Sequence, residues 1–226
     1  MRAMILAAGR GERLRPITDD IPKALVEVGG KSVLEWHLER VAGAGIENVV
    51  INLGWHGEQI VRHIGSGKRY GLRISYSDEG DDILETGGGI HKALPMLGAD
   101  PFLVINSDIV TDMPVPDVTL HRDDLGHLVT VPTPAYLDHG DFNIEDGLIR
   151  RTRNPRYTYS GFAIYRPELF ADCRGGRFSV VPLMFAAADA GRLSGSVYKG
   201  RWADIGTPER LAKLRKSVVA RQRDDD

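Results

Sequence analysis

Met4–Ala8 is an apolar run of strand length that opens without a break into Gly9-Arg10-Gly11-Glu12-Arg13. A strand running into a glycine turn lets backbone N–H groups converge on one spot, and glycine removes the Cβ that would keep a polyphosphate away. Arg13 and Arg15 add planar, permanently charged donors, and Lys23, after Pro22, adds a compact ammonium. The spacing lacks the Gly-Lys-Ser/Thr of a Walker loop and the third glycine of a dinucleotide fingerprint. The second strand also ends in Leu53-Gly54 where a dehydrogenase would carry an acid.

Behind this turn, short apolar runs alternate with helical spacing. Strands are predicted at Met4–Ala8, Val49–Leu53, Ile74–Tyr76 and Phe102–Asn106. Helices are predicted at Leu34–Ala44, with Ser32 as cap, at Glu58–Ile64 and from Gly88 to Leu94. The pattern predicts an α/β fold: a largely parallel sheet with helices on both faces. After Asp108 the prolines multiply and shorter strands, His127–Val131 and Leu148–Arg151, suggest a second lobe laid on the same sheet. Thr207-Pro208 reads as a helix start, with Leu211, Leu214 and Val218 as its buried stripe. The chain divides into a nucleotide-binding half at about 1–110, a lobe at about 111–205, a helix at 207–221 and a charged, disordered tail at 222–226.

With 226 residues and a formal net charge of −2, one domain with a full core is expected, and no nucleic-acid partner. The single Cys173 excludes a disulfide framework and suits the cytoplasm. No stretch reaches membrane-spanning length, so no membrane partner is expected. His37 and His63 read as helix-surface residues, and the seven histidines share no metal spacing.

Four further segments carry polar groups suited to a site. Asn106-Ser107-Asp108 ends an apolar strand, where open α/β sheets place ligands. Position alone leaves a turn-forming Asp and a Mg²⁺ ligand equally open for Asp108. Asp204, shortly before the Thr207 helix, reads from its position as part of that helix's capping loop. Leu84-Glu85-Thr86-Gly87-Gly88 is a second glycine turn entering a helix, with Thr86 as cap. Gly140-Asp141 and Ser160-Gly161 pair small and polar residues in the second lobe, as a sugar pocket or a tight turn would.

Leu6-Ala7-Ala8-Gly9-x-Gly11-x-Arg13…Pro22-Lys23, with Trp202-x-Asp204-x-Gly206-Thr207, resembles the sugar-1-phosphate nucleotidyltransferases. The departures are Ala24, where that family usually has Pro, and Ser107, where it has Gly before the metal Asp. The resemblance implies a Rossmann-like, three-layer α/β/α fold with a mostly parallel mixed sheet and a smaller sugar-binding lobe. It implies catalysis by Arg13 and Lys23, nucleotide contacts from Leu6, Ala7, Ala8, Gly9, Gly11, Thr86, Gly87 and Gly88, and Mg²⁺ on Asp108 and Asp204. Asn106, Gly140, Asp141, Ser160 and Gly161 would face the sugar.

Within the family, Tyr70–Ser77, Leu84–Ile90 and Gly200–Arg210 look most like the N-acetylmuramate-1-phosphate uridylyltransferases of peptidoglycan recycling. That likeness implies UTP and N-acetyl-α-muramate 1-phosphate as partners, giving UDP-MurNAc. A mannose- or glucose-1-phosphate enzyme using GTP, dTTP or UTP is the alternative. A non-catalytic nucleotide-sugar regulator is a third reading, in which Lys23 or one metal Asp would be expected to be lost. No hexapeptide repeat is visible, so a monofunctional enzyme is expected, as monomer or dimer.

Overall fold

The computed structural model describes residues 1–80 and 82–222, with side-chain surroundings as far as Ser217. Val218 and residues 223–226 of the expected tail fall outside that description. In chain order the elements are β1 (Arg2–Leu6), a one-turn α1 (Ile17–Asp20), β2 (Glu27–Val28), β3 (Lys31–Ser32) and α2 (Val33–Gly43). Then come β4 (Asn48–Leu53), α3 (Gly57–Ile64), β5 (Arg73–Asp78), α4 (Glu85–Leu97), β6 (Phe102–Asn106), β7 (Ile109–Thr111) and β8 (Gly126–Pro132). The chain finishes through β9 (Asn143–Glu145), β10 (Leu148–Arg150), β11 (Tyr157–Tyr165), α5 (Val181–Asp189), β12 (Leu193–Val197), β13 (Trp202–Asp204) and α6 (Pro208–Gln222).

Nine strands form one sheet in the order β5-β4-β1-β6-β11-β8-β12-β10-β9. The first four are mutually parallel, and only β11 and β10 oppose the common direction. Alternation along each strand sorts the core into two layers. Ala3, Ile5, Val49, Ile51, Leu103 and Ile105 face α2 and α3, whereas Met4, Val50, Phe102 and Val104 face α4 and α5. The expected three-layer α/β/α arrangement follows, with the sheet buried on both faces.

Local chemistry sets the element ends. The Ser32 hydroxyl accepts the Glu35 amide at 3.2 Å while the Glu35 carboxylate accepts the Ser32 amide at 3.0 Å, a reciprocal cap on α2. His37 overturns its surface assignment: it is fully buried, edge-on to Phe162. With Leu34, Leu38 and Val41 it lies on one i, i+3, i+4, i+7 stripe, the face that α2 turns to the sheet. Burial first, then the neighbouring Arg40 charge, holds its imidazole neutral, with a pKa lowered to about 3. A third cluster of Leu14, Val26, Val28, Val33, Ile205 and Leu211 docks α6 beside the first turn of the chain. Among the described residues no helix is long and apolar enough to cross a membrane.

Candidate active site

β1 lies between β4 and β6, so the chain leaves its carboxyl end where connections diverge to either side, the crevice that open α/β sheets use for ligands. A cleft of about 1100 Å³ opens there, lined by Leu6–Arg13, Lys23, Asn52, Glu79, Leu84–Thr86, Asn106–Asp108, Arg177 and Gly206, among others.

The two glycines of the first turn serve different ends. Gly11 has φ +64°, and a Cβ there would stand 2.8 Å from the Thr18 methyl and 3.2 Å from Lys23 Cβ. Gly9 has no protein atom within 4 Å of such a Cβ, so its bareness keeps space open on the cleft side. None of the Gly9, Arg10 and Gly11 amides donates to another described residue. The loop is braced from behind: Thr18 Oγ1 donates to Gly11 O at 2.9 Å, Trp55 Nε1 to Thr18 O at 3.0 Å, and the Arg10 guanidinium lies over the Trp55 ring. A fixed backbone with free donors and Arg13 at its end is built for an anion.

Lys23 reaches the cleft because Pro22 holds extended backbone before the Lys23–Leu25 turn, and Ala24 buries itself in the core below. Lys23 Nζ donates to Asp108 Oδ2 at 2.5 Å, across 85 residues of sequence. Ser107 costs no strain: it is absent from the positive-φ residues, which among non-glycines are His56, Glu85 and Asp146, and its amide donates to Leu6 O at 3.2 Å. The glycine usual there is therefore not a conformational need of this loop.

Asp204 comes beside Asp108 through a short antiparallel ladder. β13 pairs with β7, placing Asp204 opposite Ile109, and the Ile205 amide donates to Asp108 O at 3.0 Å. The Asp204 carboxylate accepts from Arg210 Nη1 at 2.7 Å, Tyr136 OH at 2.6 Å and the Gly206 amide at 2.8 Å. Burial pulls this carboxyl upward, but those three donors outweigh it and hold it below the ordinary range. Asp204 does not itself line the cleft; Gly206 does. Asp108, in the turn before β7, and Asp204, in β13, are each answered by a cationic side chain, and both offer the carboxylate oxygens that a hard divalent cation takes. Among the described residues no third His, Cys, Asp or Glu joins them in a metal cluster.

The opposite wall is Leu84–Thr86 rather than the glycines after it. Gly87 and Gly88 donate their amides to Phe178 O at 2.9 and 3.0 Å, are buried and are not among the residues that line the cleft. A Cβ on Gly87 would meet the Phe178 ring at 2.5 Å, which shows what their smallness admits: a neighbouring segment of this chain. Thr86 is not the helix cap; it lies inside α4 and its Oγ1 accepts the Val180 amide at 3.0 Å. Glu85 holds φ +61°, a left-handed conformation uncommon for a side-chain-bearing residue, and accepts from Arg177 Nε at 2.9 Å.

Of the expected sugar residues, only Asn106 lines the cleft. Gly161, at φ +85° in the β11 bulge, packs on it, with a virtual Cβ 3.0 Å from Asn106 Cβ. Ser160 is fully buried; its hydroxyl accepts the Phe162 amide and its carbonyl accepts Trp202 Nε1. Asp141 accepts the Tyr159 amide at 2.8 Å, and Gly140 is wedged against Tyr157 and Thr133. These three frame the lobe instead of facing the cleft. Sequence reasoning missed Asn52, Arg177 and the role of Glu79. Asn52 carried a usable signal, a polar residue near the carboxyl end of an apolar strand, as at Asn106.

Residues 2–141 match the protein family described as Nucleotidyl transferase. The chain is 43% identical to the N-acetylmuramate alpha-1-phosphate uridylyltransferase of Neisseria meningitidis, over 93% of this chain and 95% of that one. It is 37% identical to the protein of the same name from Caulobacter vibrioides, over 94% and 93%. A Bacillus anthracis structure named for glucose-1-phosphate thymidylyl transfer superposes with a TM-score of 0.83 at 21% identity, covering 96% of this chain and 95% of that one; it shares the fold.

Proposed function

We propose, from the premise that this chain belongs to the nucleotidyl transferase family, that it makes UDP-MurNAc from UTP and N-acetyl-α-muramate 1-phosphate, releasing pyrophosphate. The observation that carries the reading is the Lys23–Asp108 pair at the end of the glycine cradle. It joins a phosphate-binding cation and a metal-type carboxylate at one point of one cleft.

The triphosphate lies along Gly9–Arg13, where donor amides are free and Gly9 admits close approach. Arg13 neutralises the leaving β- and γ-phosphates, and Lys23 the oxygens around the attacked phosphorus. An oxygen of the sugar phosphate bonds to the α-phosphorus as the α–β bridging bond breaks, its electron pair departing on pyrophosphate. The attacking phosphate is already ionised near neutral pH, so the site needs alignment and charge compensation rather than a general base. Asp108 and Asp204 are the residues that would hold Mg²⁺, which when bound supplies positive charge to the reacting phosphates. The base rests against Leu84–Thr86 and the sugar beside Asn106 and Gly161.

We read the chain as one catalytic unit, with about 1–110 holding the nucleotide and about 111–205 the sugar, working in the cytoplasm in peptidoglycan recycling. The 43% and 37% identities to uridylyltransferases of that specificity support the choice of base and sugar. Pyrophosphate release is the test: UTP, GTP and dTTP are paired with N-acetylmuramate, mannose and glucose 1-phosphates, with Mg²⁺ and with chelator. The expected signal is confined to UTP with N-acetylmuramate 1-phosphate and needs the metal. Faster release with either hexose phosphate would reassign the sugar.

A further inference from the structure

Asn52 and Glu79 are polar, sit in the wall of the cleft, and are only 3% and 7% exposed. They form a continuous chain of hydrogen bonds beneath it. The Ala7 amide donates to Asn52 Oδ1 at 2.7 Å, Asn52 Nδ2 donates to Glu79 Oε1 at 2.6 Å, and the Leu84 amide donates to Glu79 Oε2 at 2.7 Å. One end of this chain is the first residue of the phosphate loop after β1; the other is the residue that opens the second wall before α4. The polarity is fixed throughout. A backbone N–H requires an acceptor from Asn52, which turns its amide nitrogen toward Glu79, and Glu79 accepts on both oxygens.

The chain also cannot slacken. Gly89 of α4 presses on it so closely that a Cβ would stand 2.5 Å from Glu79 Oε1 and 2.9 Å from Asn52 Nδ2. The Glu79 amide is itself tied to Leu53 O at 2.9 Å, the residue after Asn52. An unpaired member of such a buried set costs more than an ordinary hydrogen bond, so the two walls are held at one separation.

We propose that Asn52 and Glu79 are positioning residues that set the distance between the triphosphate cradle and the base-side wall, and so the fit of an intact nucleoside triphosphate. The inference rests on reading the cleft as a nucleotide site. It distinguishes ligands by length: inorganic tripolyphosphate touches the cradle alone, whereas UTP must satisfy both walls at once.

The test is a polarity swap. In N52D two carboxylates face each other, and in E79Q an amide nitrogen meets either Asn52 Nδ2 or the Leu84 N–H. In N52D/E79Q the two backbone N–H groups still donate as before and the central bond re-forms in reverse sense, from the Gln amide to the Asp carboxylate, at the same net charge. UTP and tripolyphosphate affinities are measured by calorimetry, with KM for UTP and for the sugar phosphate alongside. Each single variant is expected to weaken UTP at least tenfold and tripolyphosphate less than threefold, with the sugar-phosphate KM unchanged. The double variant is expected to return UTP affinity to within threefold of wild type. Equal losses for UTP and tripolyphosphate, unchanged UTP affinity in both single variants, or no recovery in the folded double variant would overturn the proposal. Because binding is read directly, wild-type protein that binds UTP but releases no pyrophosphate sinks the sugar assignment while leaving the brace to its own measurement.

Discussion

In the parallel half of the sheet, strands end in polar groups that face the cleft: the Gly9–Gly11 amides after β1, Asn52 near the end of β4, Asn106 and Asp108 around the end of β6. In the antiparallel half the comparable polar groups turn inward. Ser160 in the β11 bulge bonds Phe162 and Trp202, and Asp141 caps the Tyr159 amide. A parallel sheet sends its strands back through helices, so several carboxyl ends gather at one edge without having to pair there. An antiparallel strand turns directly into its neighbour and uses its polar groups to make that turn. The same residue types therefore line the cleft in one half and brace the framework in the other.

That contrast can be broken by experiment. Lys23→Ala should lower turnover at least a hundredfold while the thermal melt shows a folded protein, as removal of single electrostatic donors does elsewhere. Near-normal turnover would remove the parallel edge from the chemistry. Gly9→Val should raise KM for UTP more than tenfold and leave Tm unchanged, because a Cβ at this position enters open cleft with no protein atom within 4 Å. Gly11→Ala should do the reverse and destabilise the fold by about 1–3 kcal/mol through its left-handed backbone and the Thr18 contact, read by denaturant unfolding. Asp141→Ala should cost about 1 kcal/mol of stability for the lost Tyr159 bond. Its KM for sugar phosphate should stay within threefold; a tenfold rise would move Asp141 out of the framework and into the pocket.

A pH-dependent effect concerns His37, behind the seam between α2 and β7. Its folded pKa, about 3, is below its unfolded value near 6.5. The unfolded chain therefore binds the extra proton first, and stability falls as pH drops from about 6.5 toward 3. Unfolding curves across that window should show a shallower acid loss in His37→Phe than in wild type.

The glycine cradle was legible in the sequence because its chemistry is local: five successive residues state the turn, the donors and the charge. The strands and α2 were legible for the same reason, through period and cap. What stayed hidden depends on neighbours remote in the chain. Nothing in Asn52 or Glu79 alone says that they meet, since β4 and β5 bring them together. The neighbours of Gly87 were not legible, because a small residue declares that something lies close without saying what; here it is the Phe178 segment. His37 was legible and overlooked, for its spacing from Leu34, Leu38 and Val41 already placed it inward.

The ladder between β7 and β13 has a consequence for timing. Asp108 is followed by most of the second lobe before Asp204 is synthesised, and only the docking of β13, with α6 behind it, brings the second carboxylate alongside the first. A nascent chain stalled short of Trp202 would own a complete phosphate loop and half an acid pair. The pairing of the two acids is thus a product of tertiary folding, since the second charge arrives only when β13 docks on β7.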